Sequence, residues 1–339
     1  MSELEIYSYI SPAAQGQTLD DIERNMSAVT GLDRGLIGYH SFGPDGLVLA
    51  GLTLSANRDL NVLVAHRPGV MAPPVAARAV STLSRVSGGR VDLHVVSGGA
   101  PGDQLREGDY LGHDERYLRA GEYVDALRAI WAAEGPVSYE GAYYKFEDIR
   151  PNEMQAQGVR IHMGGASPAA LEFGASKADV YMLWGEPFSE VAARINEIEE
   201  KAASYGRPRP RISLSLRLYL GETDEAAWKR ARNEPVYQAF VAKGGELSNR
   251  QHAEDAGRNR QLKVAQAGEL HDDCLWMGIV AAMKGLGNAA ALVGTPDRVM
   301  KTLAEYRGLG IDTFLISAEG GEWDNSLASI AGRMHHDLA

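Results

Sequence analysis

A single cysteine, Cys274, stands in 339 residues, so no internal disulfide can staple the chain. Long apolar runs are missing as well: none approaches the ~20 residues of a spanning helix, which argues against membrane insertion. No charged-then-apolar leader precedes the first strand-like run, LEIYSYI, so the cytoplasm is the expected compartment. Positive charge is in deficit. With 34 Lys and Arg against 45 Asp and Glu the net charge is -11, which speaks against a nucleic-acid partner, because such partners are met by basic patches. The sequence also has no G-x-x-x-x-G-K-[ST] loop, no H-E-x-x-H and no G-x-S-x-G, and neither an internal repeat nor a low-complexity tract. No metal site is expected. The side chains of His271, Asp272, Asp273 and Cys274 could bind metal, but they are consecutive in sequence and read as a solvated helix start instead.

What is present is alternation. The stretch Asn61–Gly99 spells strand, helix and strand in one parallel crossover. The same pattern recurs along the chain, with strands expected at Glu5–Ser11, Leu36–Phe42, Asn61–His66, Arg90–Ser97, Val159–Gly164, Asp179–Trp184, Ile212–Leu220 and Thr313–Ser317. Helices are expected between them, and a last one at Asn325–Asp337. Pro168 and Pro296 sit at first-turn positions, Thr223 precedes an acidic first turn, and Gly206 stops a helix. This pattern predicts a single α/β domain over residues 1–339, a (β/α)8 TIM barrel, with an open doubly wound sheet as the rival. Two places break the alternation. VSYEG and AYYKF read as a small hairpin, and residues 234–293 read as an insertion before the last strand, either a lid or an extra packing pair of helices.

Parallel β/α folds place their chemistry at the C-terminal ends of strands. His66 and His94 occupy two such ends, as ligand-facing groups or as hydrogen-bonded core residues. Ser97-Gly98 and Gly165-Ala166-Ser167 form strand ends that let backbone amides approach a ligand, and the second leads into a proline-started helix suited to a phosphate. His113 and Tyr117 lie one helical turn apart, and Trp184 ends a strand where an indole could wall a planar ring.

These residues resemble the luciferase-like, two-component flavin monooxygenases, and within them the reduced-FMN-dependent alkanesulfonate monooxygenase group. The similar stretches are RPGVMAPPVAARAVSTLSRVSGGR, VVSGG, GHDERYLRAGEY, HMGGASPAA, DVYMLWGEP and ALVGTPDRVMKTLAEYRGLGIDTFLIS, in family order over roughly residues 60–320. The resemblance implies a barrel with a mobile lid and a dissociable reduced FMN. It also implies oxygen as co-substrate and a separate NAD(P)H:flavin reductase as partner. By the same resemblance His113, Tyr117, Gly165, Ala166 and Ser167 hold the flavin phosphate and ribityl chain. Val96, Ser97 and Gly98, with His66 and His94, lie near the isoalloxazine, and Trp184 belongs to the pocket. A homodimer or higher homo-oligomer is expected.

The departures concern the substrate. Where the alkanesulfonate enzymes carry a cysteine, this chain reads Gly43-Pro44-Asp45. Arg217 replaces their seventh-strand histidine, Gly285 beside Lys284 replaces their lid arginine, and Glu319 replaces their tyrosine after the last strand. A carboxylate at that place repels a sulfonate, so the expected reaction is oxygenation of a small organic substrate other than a simple alkanesulfonate. His66, His94, Trp184 and Arg217 are the expected catalytic groups, with Asp45, Lys284 and Glu319 toward the substrate and lid. A deazaflavin-dependent dehydrogenase and a non-catalytic flavin-binding barrel stand as alternatives.

Overall fold

The structure, a computed structural model, describes residues 3–10, 17–97, 102–151, 155–156, 158–245, 256–285, 289–318 and 324–339. In chain order the strands are β1 (Glu5–Ile10), β2 (Arg34–Ile37), β3 (Asn61–His66), β4 (Val91–Val95), β5 (Val137–Glu140), β6 (Lys145–Ile149) and β7 (Ile161–Gly164). They continue with β8 (Val180–Trp184), β9 (Arg211–Leu220), β10 (Leu270–His271), β11 (Leu275–Trp276), β12 (Ala291–Gly294) and β13 (Thr313–Ser317). Eight of these form a closed ring in the order β9, β13, β1, β2, β3, β4, β7, β8 and back to β9, the (β/α)8 barrel expected from the alternation. The doubly wound rival is thereby excluded. All eight expected strand segments are ring strands.

Local signals set most helix ends. Thr18 and Asp21 form a reciprocal capping box on the helix Leu19–Ser27, and the Asp45 carboxylate accepts the Val48 amide at 2.9 Å to start Gly46–Ala56. Pro73 opens Pro73–Ser87, and Gly88 at φ 75° ends it in the left-handed region. Among the described residues no helix is long and apolar enough to cross a membrane.

The chain divides into two compact units. The first holds Ile10–Gly164 and Glu172–Val180, with β2, β3, β4 and β7 in parallel register so that Ala65 pairs with His94 and His94 with His162. Its centre is a buried charge. Asp92 on β4 accepts Arg34 Nη2 at 3.2 Å, Arg160 Nε at 2.9 Å, the Arg160 amide at 2.9 Å and His162 Nε2 at 3.2 Å. Burial alone would raise the Asp92 pKa, but the His162 hydrogen bond and the two guanidinium charges outweigh it and hold the carboxyl ionised. Arg34 also explains a displaced element. The second strand was expected at Leu36–Phe42 but runs Arg34–Ile37, because its arginine is buried against an aspartate far along the chain. The hairpin is found as β5 and β6, its second strand three residues later than AYYKF implied.

The second unit holds Met1–Tyr9, Gly165–Leu171 and Tyr181–Ala339. The ten-residue β9 has three strand partners: β8, which closes the ring, β13 along Ser213–Arg217, and β12 along Arg217–Leu220. The insertion before the last strand carries the helices Pro235–Ala242 and Ala256–Ala267, the pair β10–β11 and β12. Trp276 is fully buried there, with the rings of Tyr237, Tyr219 and Trp228 at 4.9, 5.9 and 5.9 Å. The run His271–Cys274 is a tight turn between β10 and β11 and not a helix start. His271 reaches the Gly268 carbonyl, Asp272 accepts the Phe188 amide, Asp273 pairs with Arg298, and the Cys274 thiol meets Thr302.

Removing the central carboxylate tests the first unit. Asp92→Ala leaves Arg34 buried without its counter-charge and should cost about 3–5 kcal/mol in urea unfolding; a loss under 1 kcal/mol would show that the network is dispensable.

Candidate functional site

In the first unit the C-terminal ends of β3 and β4 carry two neutral imidazoles. His66 is buried, and its Nε2 meets the Tyr123 hydroxyl at 2.7 Å with the two rings stacked. Burial pushes its pKa down to about 4, against a smaller opposing effect of Asp45. His94 is half-buried and has its pKa pushed down to about 3, by burial first and then by His162. Its Nδ1 has no hydrogen-bond partner among the described residues, and neither has the buried Ser97 hydroxyl three residues on. A buried polar atom left unpaired costs about 1–3 kcal/mol, so two at one strand end are a place for a polar ligand.

The helix His113–Ala132 is tied to that strand end. Arg116 Nε donates to the Ser97 carbonyl at 2.9 Å and Nη1 to the Leu111 carbonyl at 2.7 Å. His113 and Tyr117 lie ring to ring at 5.2 Å, and Tyr117 continues to Phe173 at 6.3 Å. The two side chains, one helical turn apart in the sequence, lie side by side in the structure. Val96 donates its amide to the His66 carbonyl at 2.9 Å, while Gly98 lies outside the described residues.

Sequence reasoning passed over the charged neighbours of this end. Arg67 directly follows His66, is 2% exposed and pairs with Glu107 at 2.7 Å. Arg119 clamps Asp109 and the Pro68 carbonyl, and its guanidinium fills the space where Gly69, at φ 103°, would carry a side chain. The signal available was the HRPG run itself, a charged residue next to a proline at a strand end. Asp45, expected toward the substrate, is the cap of the helix Gly46–Ala56.

In the second unit the Gly165 carbonyl accepts Tyr181 Oη at 2.8 Å and Arg194 Nη2 at 3.3 Å, Ala166 is half-buried, and Ser167 Oγ accepts the Ala170 amide at 3.1 Å. Trp184 ends β8 against Gly257, where an added Cβ would stand 3.0 Å from the indole. Glu186 takes the Arg260 guanidinium at 2.7 and 3.0 Å, and Gln261 donates to the Gly185 carbonyl at 3.0 Å, so the insertion helix Ala256–Ala267 is fastened to the end of β8. Arg217 is half-buried on β9, paired with Ser317 of β13 and with Ala291 of β12, and its charge reaches Tyr9 and Tyr219. Lys284 is exposed at φ 55°; Gly285 beside it is packed so that a Cβ would stand 2.9 Å from Arg258 and 3.0 Å from Leu262. Glu319 lies outside the described residues. Among the described residues no cluster of three or more His, Cys, Asp or Glu could hold a metal ion.

The imidazoles give the first unit a pH dependence. An unfolded histidine protonates near 6.5, whereas His66 and His94 stay neutral down to about 4 and about 3 when folded, so stability is lost as pH falls from about 6.5 through those values. Replacing His94 by Asn should flatten the fall in unfolding free energy over that window, by up to about 1.4 kcal/mol per pH unit. Urea titrations from pH 7 to 4 check this, and parallel curves for the two proteins would refute it.

Comparison with solved structures gives the same barrel in several enzymes. EDTA monooxygenase from Chelativorans sp. BNC1 is 16% identical over 99% of this chain and 93% of its own, with a TM-score of 0.76. A riboflavin lyase solved with modified FMN and riboflavin is 18% identical over 99% and 92%, at 0.77. An F420-dependent secondary alcohol dehydrogenase is 15% identical over 99% and 98%, at 0.68. At these identities the likeness is one of fold. Residues 22–313 match the luciferase-like monooxygenase family, most of the chain, and the chain belongs to that family of oxidoreductases.

Proposed function

We propose that this protein is a reduced-FMN-dependent monooxygenase that uses oxygen to oxidise a small organic substrate, with reduced flavin delivered by a separate NAD(P)H:flavin reductase. The observation that carries the reading is the end of β4. Ser97 Oγ and His94 Nδ1 are buried without partners there, beside the aromatic start of the helix His113–Ala132. These groups fit a flavin. His113 and Tyr117 offer a polar and aromatic edge, and Val96 and Ser97 supply the strand end that the ring system would lie along. Bound reduced FMN supplies the two electrons that oxygen needs to oxygenate a substrate.

The protein's own contributions follow from the geometry. His94, neutral at working pH, accepts or donates a hydrogen bond without bringing a charge into the site. Tyr123 fixes the orientation of His66. In the second unit Trp184 and Arg217 are the proposed substrate-side groups, and residues 234–293 act as a lid that excludes water when shut. The Arg260–Glu186 pair and the Gln261 bond to Gly185 are what opening must break. Gly285 has no room for the lid arginine of the alkanesulfonate enzymes, which supports a substrate other than a simple alkanesulfonate. A deazaflavin-dependent hydride transfer is the second reading, favoured by the fold shared with the F420-dependent dehydrogenase.

Purified protein should bind reduced FMN and change its rate of oxidation by oxygen; protein that does neither rules out the flavin reading, and preferential binding of deazaflavin selects the second. Tyr117→Phe should weaken FMN binding about fivefold, a loss of about 1 kcal/mol, and leave the chemistry of bound flavin intact. His94→Ala should lower product formed per oxygen consumed more than it lowers FMN affinity. Product analysis by mass spectrometry in a reductase-coupled reaction separates these, and the reverse pattern in the two variants contradicts both assignments.

A further inference from the structure

Tyr39, Arg67 and Glu107 meet at the C-terminal ends of β2 and β3, and the flavin reading leaves them without a role. Tyr39 lies two residues beyond β2, Arg67 directly follows β3, and Glu107 ends the short helix Asp103–Arg106. One Glu107 oxygen, Oε1, accepts the Tyr39 hydroxyl; the other, Oε2, accepts Arg67 Nη1 at 2.7 Å. The guanidinium also covers the Tyr39 ring, 4.7 Å from its centroid. The Arg67 side chain is 2% exposed and that of Glu107 18%, while Tyr39 is half-buried.

As a staple this arrangement is a poor one. Desolvating a guanidinium and a carboxylate about cancels their attraction, and apolar side chains of the same volume hold a loop as well. Arg67 Nε is moreover buried with no partner among the described residues, a further cost. What the arrangement does provide is a phenol whose only proton is committed to a carboxylate, leaving its oxygen lone pairs for a donor from elsewhere.

We infer that Tyr39 is a catalytic proton carrier of this site, with Glu107 as its proton store and Arg67 as the residue that positions both. The inference rests on the monooxygenase reading for the reaction it serves. A ligand O–H or N–H gives its proton to Tyr39 Oη as the phenol proton moves to Glu107 Oε1, and the electron pair of the broken bond stays on the ligand. Glu107 becomes a neutral acid, and Arg67, no longer neutralised, faces the new anion. No electrons pass to or from the chain, and the reverse transfer returns the proton. The charged groups acting on the phenol are Glu107, Arg67 and Asp103. Burial and the Glu107 bond hold its pKa well above the ordinary tyrosine range, so the phenol passes protons on without resting as tyrosinate.

The test compares full-length wild type with Tyr39→Phe, Glu107→Gln, Glu107→Asp and the Tyr39→Phe/Glu107→Gln double variant, with thermal melting to verify folding. Anaerobic reduced FMN is mixed with oxygenated buffer across pH, and flavin oxidation, in which the reduced flavin gives up an N–H proton as FMN forms, is followed by absorbance. Tyr39→Phe and Glu107→Gln should each slow it by about 10- to 100-fold and flatten its pH profile with FMN affinity unchanged. Glu107→Asp should restore most of the rate, and the double variant should be no slower than either single one. Wild-type rates and profiles in the single variants, or multiplying effects in the double, overturn the inference. A flavin-free titration of tyrosinate absorbance stands apart from the flavin reading. Glu107→Gln should shift the ionisation of one tyrosine to lower pH than in wild type, a shift absent from the double variant. Failure of wild type to bind reduced FMN defeats the monooxygenase reading alone, whereas identical titration curves defeat the carrier.

Discussion

The Asp92 carboxylate gathers Arg34 from β2, Arg160 from the approach to β7 and His162 from β7 around one position on β4. A buried charge is costly unless its partners are fixed, so the three strands have one workable register, and a slip of one residue would strand an ion in the core. Between β2 and β4 runs β3, which pairs Ala65 with His94 and His66 with Val95 at the other end of β4. The chemistry at the C-terminal ends is therefore placed by a charge at the N-terminal ends.

The strand ends of the first unit are polar, but their polarity is arranged in closed pairs. Arg119 is spent on Asp109 and Arg67 on Glu107, while His66 is held by Tyr123. His94 Nδ1 and Ser97 Oγ, like Arg67 Nε, are buried there without a partner among the described residues. The neutral state of both histidines follows from burial, and it suits a site that must hold protons without attracting water. The second unit fastens its insertion helix through the buried Glu186 and Gln261.

Much of this was legible in the chain. The strand Asn61–His66 and the helix Pro296–Gly308 are announced by an apolar run and a first-turn proline, signals within a few residues, whereas the Asp45 cap of the helix Gly46–Ala56 was read as a substrate-side group. The strand ends bearing His66, His94 and Ser97 were readable for the same reason. The start of β2 was not, because an arginine at its head looks like a loop residue until Asp92 is in place. Glu107 and Tyr39 were missed likewise: 68 residues separate them, and neither belongs to a recurrent spacing.

The sequence by itself determined the alternation, the eight ring strands, the caps and the family, because these rest on short-range periodicity and on stretches that persist as strings of residues. Only the tertiary structure decided which charges are neutralised, which histidine is satisfied and which polar atoms are left open. Those properties depend on burial and on partners brought together from distant parts of the chain. Gly285 is the small case of the same rule: in the sequence it is a missing arginine, and in the fold it is a position with no space for one.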